Sequence, residues 1–590
     1  MATETLVSPG VLLQESDLSF TAPGTDPSGL AIIGPAVQGP IEVPTVIKNF
    51  NQFKSVFGTA FESASQGYEY FTSIAARNYF ANGGSNALIT RVVSASSTWD
   101  YAGNTHISAS AKGGTQPFTL ETIGKGEIYN NAINTTTIEE FAGGILKTGS
   151  ADNFRWEVTS VNNKAGTFTL VIRRGDDKAS KPLILEQFTN LSLDPLNSNY
   201  VAKAIGDQRR VKSAAGDSIE IQGEFPNKSQ YVRISSVNLP TYEYSTNNLV
   251  GTDGGGTSYS ASLPTAQSGA FFGGAGSNIP THVGGNYGKD AGNGATDTGA
   301  NNIQGLSLAD YTDAFKILKN KEEFKFKTLI VPGLNQENHG STISTIISNT
   351  EVRGDNLFVL DPVKHGTTVI STVKTEGEEL DTSFAASYWP WVQVASPELG
   401  RNINCPASVV IPGVYAQTDS VAAPWFAPAG LNRGKLRKVS KTELKLSKAQ
   451  RDDLYVSKIN PLATFPGQGV VVFGQKTLQQ ASSALDRVNV RRLLLDVKDV
   501  INGFARNIVF EQNTEATRET FVKQVTPYLD SLVQRSGLYA FKVKMDGELN
   551  TSDIIDANQL VGQVFLQPTK TAEFILLDFI LTPTGASFTD

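Results

Sequence analysis

Helical and strand patterns alternate regularly from residue 306 onward, and this order constrains the fold more than any other feature. "LADYTDAFKILKN" predicts a helix and "FKTLIVPG" a strand, and "STISTIISNTEV" and "NLFVLDP" repeat the pair. Such alternation indicates a sheet covered by helices. Residues 29–95 predict a smaller α/β unit, with strands at "LAIIG", "PTVIK" and "NALITRVVS" and helices at "NFNQFKSVFG" and "GYEYFTSIAARNYFANGG".

Residues 100–300 have a different character. They are rich in Thr, Ser, Asn and Gly, and segments such as "NFRWEVTSV" and "GTFTLVIRR" alternate in the manner of antiparallel strands. Residues 250–305 contain few large apolar side chains, so we expect a long surface loop or linker there. Its "GGNYGKDAGNGATD" is similar to a calcium-binding turn, but a nine-residue repeat is missing and we expect no metal.

Residues 481–536 carry the strongest helical signal. An apolar stripe recurs at spacings of three and four on the first helix, at Val490, Leu494, Val497, Ile501, Phe504 and Ile508. "NTEATRETFVKQVTPYLDSLVQRSG" predicts a second helix. Two strands, "LYAFKVKMD" and "GQVFLQP", follow, and then "AEFILLDFIL", which is apolar enough to need cover on both faces.

The predicted architecture is an α+β multidomain fold. An α/β core is formed by the N- and C-terminal parts, with one or more inserted β-rich domains and an extended arm at each end. The expected units are an arm at 1–28, a first α/β module at 29–99, the β-rich insertion at 100–305, a middle α/β domain at 306–475, a C-terminal α/β domain at 476–572 and a strand arm at 573–590. The prolines and glycines around "GVLLQES" leave the first arm without a strand nearby in sequence to pair with. We therefore expect it to pair with the chain's own core or with another subunit.

The stretch "GQGVVVFGQKT", residues 467–477, nearly spells a phosphate-binding loop. That loop requires Lys directly after the last Gly, but here Gln475 separates Gly474 from Lys476. The residues between the glycines are three valines and Phe473, which favour an extended strand over an anion-binding nest. We therefore predict a buried strand at Val470–Phe473, with an NTPase as the alternative.

Other chemistry-bearing residues form no recognisable site. The four histidines, His106, His282, His339 and His365, lack ligand spacing, and Cys405 is the single cysteine. Asp355 and Asp361 flank a strand, where acidic residues more often cap turns. We predict no enzyme activity and no cofactor.

The overall charge and hydropathy argue against two classes of partner. The net charge of −7 argues against direct nucleic-acid binding. The sequence has no apolar run long enough to insert into a membrane, so we expect no membrane insertion. It has no secretory signal at its start, so we expect no export by that signal.

An ordered series of motifs resembles the tail sheath proteins of contractile-tailed bacteriophages. "SPGVLLQE" looks like their N-terminal arm, and "AIIGPAVQGPIEVPTVIKNFNQFKSVFG" with "YFANGGSNALITRVV" like their first module. "YWPWVQVASP", "VIPGVYAQTDS", "PWFAPAG", "INPLATFPGQGVVVFGQKT", "VNVRRLLLDVKDVI", "VFEQN" and "FILTPTGASF" follow in the family's order. The resemblance covers roughly residues 5–95 and 306–590; the insertion matches nothing comparable and is interpreted as variable and outward-facing.

The resemblance implies a structural subunit of a contractile tail. Its copies form a homo-oligomer of hexameric rings, stacked helically around a tail tube protein, with baseplate and tail terminator proteins at the ends. The sheath would assemble in the bacterial host cytoplasm and end in the virion tail. A metastable extended state would store the energy that drives the tube through the host envelope. The alternatives are the sheath of a related contractile particle (a tailocin) and, from the insertion alone, a β-rich surface adhesin.

Two sets of residues are candidate contacts in such an assembly. The intersubunit strand arms contain Val11, Leu12, Leu13, Phe574, Ile575, Leu576, Leu577 and Phe579. A basic face of the helix after residue 481 is expected to meet an acidic tube surface through Arg487, Arg491, Arg492 and Lys498, with a solvated helix face as the alternative.

Overall fold

The computed structural model describes residues 28–573 apart from 64–65, 95–97, 105–106, 108–114, 135–137, 164, 241–262, 277–303, 305 and 307. The arm residues Val11–Leu13 and Phe574–Phe579 lie outside the described residues. The elements of the N-terminal part are β1 (Ser28–Gly34), β2 (Thr45–Ile47), α1 (Phe50–Phe57), β3 (Ala60–Ser63), β4 (Gln66–Glu69), α2 (Phe71–Ala81) and β5 (Ala87–Arg91).

The remaining elements follow in three groups. The insertion contains β6 (Tyr101–Asn104), β7 (Phe118–Lys125), β8 (Glu140–Phe141), β9 (Ile145–Leu146), β10 (Phe154–Asn162), β11 (Thr167–Arg174), β12 (Ile184–Ser192), α3 (Val201–Ile205), β13 (Arg209–Lys212), β14 (Ile219–Gln222), β15 (Val232–Val237), β16 (Gln267–Gly269) and β17 (Phe271–Phe272). The middle part contains α4 (Thr312–Leu318), β18 (Phe326–Asn335), α5 (Gln336–Arg353), β19 (Leu357–Asp361), α6 (Ile370–Glu378), β20 (Ala385–Trp389), β21 (Val392–Ser396), β22 (Arg401–Cys405), α7 (Ile411–Val421), α8 (Gly430–Arg433), β23 (Val439–Thr442), α9 (Lys448–Val456), β24 (Ile459–Phe465) and β25 (Gly469–Val472). The C-terminal part contains α10 (Val488–Arg506), α11 (Glu515–Gln534), β26 (Leu538–Lys544), α12 (Ser552–Asp556) and β27 (Gln563–Pro568).

One eight-stranded sheet forms the centre of the subunit. Its order is β2-β5-β1-β18-β19-β20-β24-β25, and its inner pairs are parallel while the two outermost pairs are antiparallel. Residues 29–99 and 306–475, predicted as separate units, therefore share a sheet, because β1 pairs with β18 across the whole insertion. The other predicted boundaries stay predictions.

The sheet is covered on both faces, as its apolar strands require. In β1, Leu30 and Ile32 pack under α1, α2 and α7, while Ala31 and Ile33 pack under α4 and α5. All four side chains are fully buried. Helix α2 begins at Phe71 rather than at Gly67 as predicted, because residues Gln66–Glu69 pair with β3 instead.

The described part of the insertion is β-rich, as predicted. Two four-stranded antiparallel sheets, β12-β11-β10-β16 and β15-β7-β6-β17, share one apolar core. Trp156 and Phe168 from the first sheet meet Phe118, Val232 and Phe271 from the second in this core.

A buried arginine at the end of β5 joins the insertion to the sheet. Arg91 Nη1 donates to the carbonyl oxygens of Gly39 at 2.7 Å and Lys125 at 3.4 Å, and Nε donates to that of Ala36 at 3.2 Å. The Gly39 N–H donates to the Tyr129 hydroxyl at 2.9 Å. Burial lowers the pKa of Arg91 to about 10, so the guanidinium stays charged and the carbonyl groups solvate it.

The C-terminal part packs around α10 and α11. Leu493 and Val497 of α10 meet Val525 and Leu529 of α11, and Trp425 from the middle part completes this core. Val488 and Leu495 belong instead to the core under the central sheet. Helix α10 therefore bridges the two cores.

Candidate functional site

The stretch "GQGVVVFGQKT" forms the edge of the central sheet. Strand β25 is Gly469–Val472, and it pairs antiparallel with β24. Its valines are buried, as predicted, but the prediction that Phe473 is buried is wrong, because this residue follows the strand and is 47% exposed. Gly467 and Gly469 have φ angles of 74° and 80°, which side chains rarely adopt.

The lysine and threonine of the near-motif are engaged with their own chain. Lys476 Nζ donates to the Tyr455 carbonyl at 2.7 Å and lies 4.1 Å from the centre of the Tyr455 ring. Burial lowers the pKa of Lys476 to about 8. The Thr477 hydroxyl donates to the Leu485 carbonyl at 2.9 Å. These two groups therefore fix local structure and do not form a phosphate cradle.

Gln475, which breaks the motif, contributes to a binding site for a carboxylate of the same chain. Its Nε2 donates to Thr571 Oγ1 at 2.6 Å and to Glu573 Oε1 at 3.0 Å. The Tyr455 hydroxyl donates to Glu573 Oε2 at 2.8 Å, and Arg487 Nε donates to Oε1 at 2.7 Å. We call Gln475, Tyr455 and Arg487 the Glu573 clamp.

The clamp keeps Glu573 ionised. Burial of the carboxyl acts to raise its pKa, but hydrogen bonds from Arg487, Gln475 and Tyr455 outweigh that effect and hold the pKa below its ordinary value. The same interactions raise the pKa of Arg487 against its own burial. A charged, multiply bonded carboxylate therefore fixes the chain where it passes residue 573, beyond the end of β27.

Two of the four predicted tube-contact residues lie inside the subunit. Arg491 Nε donates to the Ser383 carbonyl at 3.1 Å, its guanidinium carbon lies 4.0 Å from the centre of the Phe384 ring, and burial lowers its pKa to about 10. Arg492 Nη2 donates to both carboxylate oxygens of Asp419 at 2.7 and 2.6 Å.

The expectation of an exposed basic face on α10 is therefore corrected. Arg491 and Arg492 are 3% and 8% exposed because this half of α10 is enclosed by the central sheet and α11. Arg487 is occupied by Glu573. Lys498 is exposed, and its contact with a tube stays a prediction.

A larger exposed basic surface lies elsewhere and was missed at the sequence level. It runs from the end of α8 to the start of α9, and its six members form no ion pair among the described residues: Lys435, Arg437, Lys438, Lys441, Lys445 and Lys448. We call this set the basic strip. The acidic residue within its span is Glu443, whose carboxylate faces His365 at 3.4 Å. A charge count along the sequence would have identified the strip.

Other candidate residues have structural partners. Asp361 accepts hydrogen bonds from the Ser408 N–H and hydroxyl, while Asp355 pairs with Arg353, so the two carboxylates do not form one site. Cys405 is fully buried, which raises the pKa of its thiol. Within the described residues, no cluster of side chains has metal-ligand geometry, and none of the helices has the length and apolarity needed to cross a membrane.

The strands β26 and β27 form a sheet with two open edges. Among the described residues they pair with each other and with no further strand. Tyr539 and Phe565 are 65% and 53% exposed on this sheet, which α11 covers on one face. A two-stranded sheet has marginal stability by itself, and the unpaired backbone groups at an open edge can bind an additional strand.

The described chain thus combines a helix-covered central sheet, a β-rich insertion and a separate two-stranded sheet. Residues 304–478 match the family described as "Phage tail sheath protein central domain", and residues 480–582 match "Phage tail sheath C-terminal domain". These matches confirm the resemblance to phage tail sheath proteins that the motifs indicated.

Individual relatives agree with this assignment. The chain is 40% identical over 190 residues to the tail sheath protein of Vibrio phage KVP40 and 38% identical over 183 residues to that of Enterobacteria phage T4. These matches cover 32% and 31% of this chain and span 28% of the length of each relative. A sheath tail protein from Listeria innocua shares the fold over 92% of this chain and 96% of its own, with a TM-score of 0.52 at 9% identity.

Proposed function

We propose that the chain is the structural subunit of a contractile tail sheath. The observation that carries this proposal is the succession of two sheath domains along residues 304–582. In it, copies of the chain assemble as hexameric rings stacked helically around a tail tube, within the tail of a virion. Contraction from a metastable extended state drives the tube through the host envelope, because the two packings of the same subunits differ in free energy.

The role is mechanical rather than enzymatic in this proposal. Lys476 and Thr477, which resembled the end of a phosphate loop, are bonded to their own chain, which supports a role without nucleotide. The partners are further copies, the tail tube, the baseplate and the tail terminator, and assembly takes place in the host cytoplasm. A tailocin sheath would use the same subunit. An adhesin is disfavoured because the insertion is built into a sheath-type core.

Strand addition at the sheet of β26 and β27 is the proposed link between subunits. The arms with Val11–Leu13 and Phe574–Phe579 supply apolar segments, and the two open edges offer unpaired N–H and C=O groups. Such links let subunits rotate during contraction without separating, because backbone hydrogen bonds hold a strand along its whole length.

Deletion of residues 1–20 tests the proposal. The shortened chain is expected to remain folded, because the central sheet and its core are built from Ser28 onward, and to form no rings or tubes in negative-stain electron micrographs. The full chain, prepared identically, is the control and should form them. Normal sheaths from the shortened chain would contradict the strand link, and monomers from both chains would contradict the sheath assignment.

Contact with an acidic tube surface is proposed through exposed cations. The basic strip and Lys498 replace Arg491 and Arg492 in this role, because the latter two are buried in the subunit. An electrostatic contact of this kind weakens as ionic strength rises.

A further inference from the structure

An apolar groove lies beside the Glu573 clamp. Its volume is about 470 Å³, and Pro461, Phe465 and Phe473 form part of its lining. The two phenylalanine rings lie 5.1 Å apart, and the guanidinium carbon of Arg451 lies 5.2 and 5.3 Å from their centres. Phe473 leaves 47% of its surface exposed. Exposed aromatic surface in a concave site favours an apolar occupant.

The chain passes along the wall of this groove immediately before an apolar stretch of its sequence. Thr571 and Glu573 form part of its wall, and the clamp fixes them there through four hydrogen bonds to the carboxylate and one to the threonine hydroxyl. The sequence continues directly as "FILLDFIL", residues 574–581, in which seven of eight residues are apolar. In extended form eight residues reach roughly 26 Å.

Charge is complementary between the groove and the segment. The segment's one charged residue is Asp578, and the groove lining contains the cations Lys448 and Arg451 as well as the carboxylate of Asp452. Both cations belong to α9, whose N-terminus is capped by Ser447 and Gln450, so the helix holds them in place.

We propose that residues 574–581 of the unassembled subunit occupy the groove of their own chain. The Glu573 clamp fixes the start of the segment, Phe465 and Phe473 cover its apolar side chains, and Arg451 or Lys448 pairs with Asp578. The groove thus covers the C-terminal arm until a neighbouring sheet accepts it, a second step that rests on the proposed sheath function. Gln475 contributes to this docking because its side chain donates a hydrogen bond to the Glu573 carboxylate.

Cysteine cross-linking in the full-length, unassembled chain tests the docking. Cys405 is the single native cysteine and is buried, so a disulfide formed in a chain with two added cysteines joins those two residues. Ala429→Cys in the groove wall combined with Leu577→Cys is expected to form an intramolecular disulfide about tenfold faster than Val509→Cys with Leu577→Cys, in which the first cysteine lies on the α10–α11 connection. Equal rates, or disulfides mainly between chains, would overturn the proposal.

Limited proteolysis gives a second, independent measurement. Phe473→Ser and Glu573→Gln are expected to speed chymotryptic cleavage within residues 574–581 about tenfold, because half a buried phenyl ring or one ionic anchor is lost. Phe510→Ser is the matched control, since Phe510 is fully exposed far from the clamp in sequence. Unchanged cleavage in both groove variants would overturn the docking. A chain that cross-links as expected but never forms sheaths would instead contradict the proposed function alone.

Discussion

Replacing Asp419 by alanine tests how firmly helix α10 is held on the middle part of the subunit. Asp419 lies on α7 and accepts both hydrogen bonds from Nη2 of Arg492 on α10. The Arg492 side chain is 9% exposed and that of Asp419 36%. With the carboxylate gone, the guanidinium keeps the Tyr415 ring at 4.6 Å and a 3.4 Å hydrogen bond to the Pro424 carbonyl, but no counter-ion within the described contacts.

The burial of Asp419 and Arg492 sets the loss of stability that each substitution causes, and the two losses differ because the two side chains are buried to different extents. Removing one partner of a buried pair costs about 3–5 kcal/mol, and partial exposure of Asp419 reduces this to about 2–3 kcal/mol. Arg492→Met keeps most of the volume and leaves a carboxylate that water can reach, so we expect a cost of about 1 kcal/mol. The carboxylate deletion should therefore be the worse of the two.

Hydrogen exchange of peptides from Val488–Val497 measures the local opening of α10. We choose a local measurement because a large protein does not unfold in a single two-state transition. Asp419→Ala is expected to raise exchange about 30- to 160-fold and Arg492→Met about fivefold, since about 1.4 kcal/mol corresponds to a factor of ten. The double variant should resemble Arg492→Met, because no unpaired cation remains. Glu519→Ala, which removes an exposed pair with Lys523, is the control and should leave α10 unchanged. Additive effects, or a milder effect of Asp419→Ala, would refute the reasoning.

Two further changes address the tube contact and pH. Lys438→Glu with Lys441→Glu in the basic strip should weaken assembly around tubes and flatten its salt dependence, measured by sedimentation, because the attraction that salt screens is lost, whereas Lys523→Glu should change neither. Burial raises the pKa of Asp361 to about 7 against the hydrogen bonds from Ser408 and Ala407. The folded state thus holds this proton more tightly than the unfolded state, so stability is greatest below the unfolded pKa and falls as pH rises towards 7. Asp361→Asn should flatten thermal stability between pH 4 and 7, and an unchanged slope would contradict this.

Local patterns in the sequence predicted the elements well where one principle governed them. The apolar strands "LAIIG" and "NLFVLDP" became β1 and β19, and Gly58 ends α1 with a φ of 68°. The stripe on α10 was visible because its apolar residues recur with helical spacing. The N- and C-terminal parts were predicted to form one core, but spacing could not supply the partner of each strand, and so the pairing of β1 with β18 was not predicted.

The site was predicted less well, because charge on a helix does not reveal which face the fold encloses. Arg491 and Arg492 were interpreted as surface residues, yet each is buried among carbonyl, carboxylate or aromatic groups distant in sequence. Gln475 was correctly judged to break the nucleotide motif. Its bond to Glu573, 98 residues away, depends on tertiary structure and leaves no local signal.

The pairing of β1 with β18 fixes the order in which the subunit matures during synthesis. Ser28 and Phe326 are partners in adjacent strands, about 300 residues apart along the chain. At translation rates of about 5–20 residues per second, β1 leaves the ribosome roughly 15–60 seconds before β18. The last described strands of the insertion, β16 and β17, precede β18 in the chain, so the residues that form the insertion's core leave the ribosome before the central sheet can be completed. The central sheet, and the apolar core on each of its faces, therefore cannot form until more than half of the chain has been made.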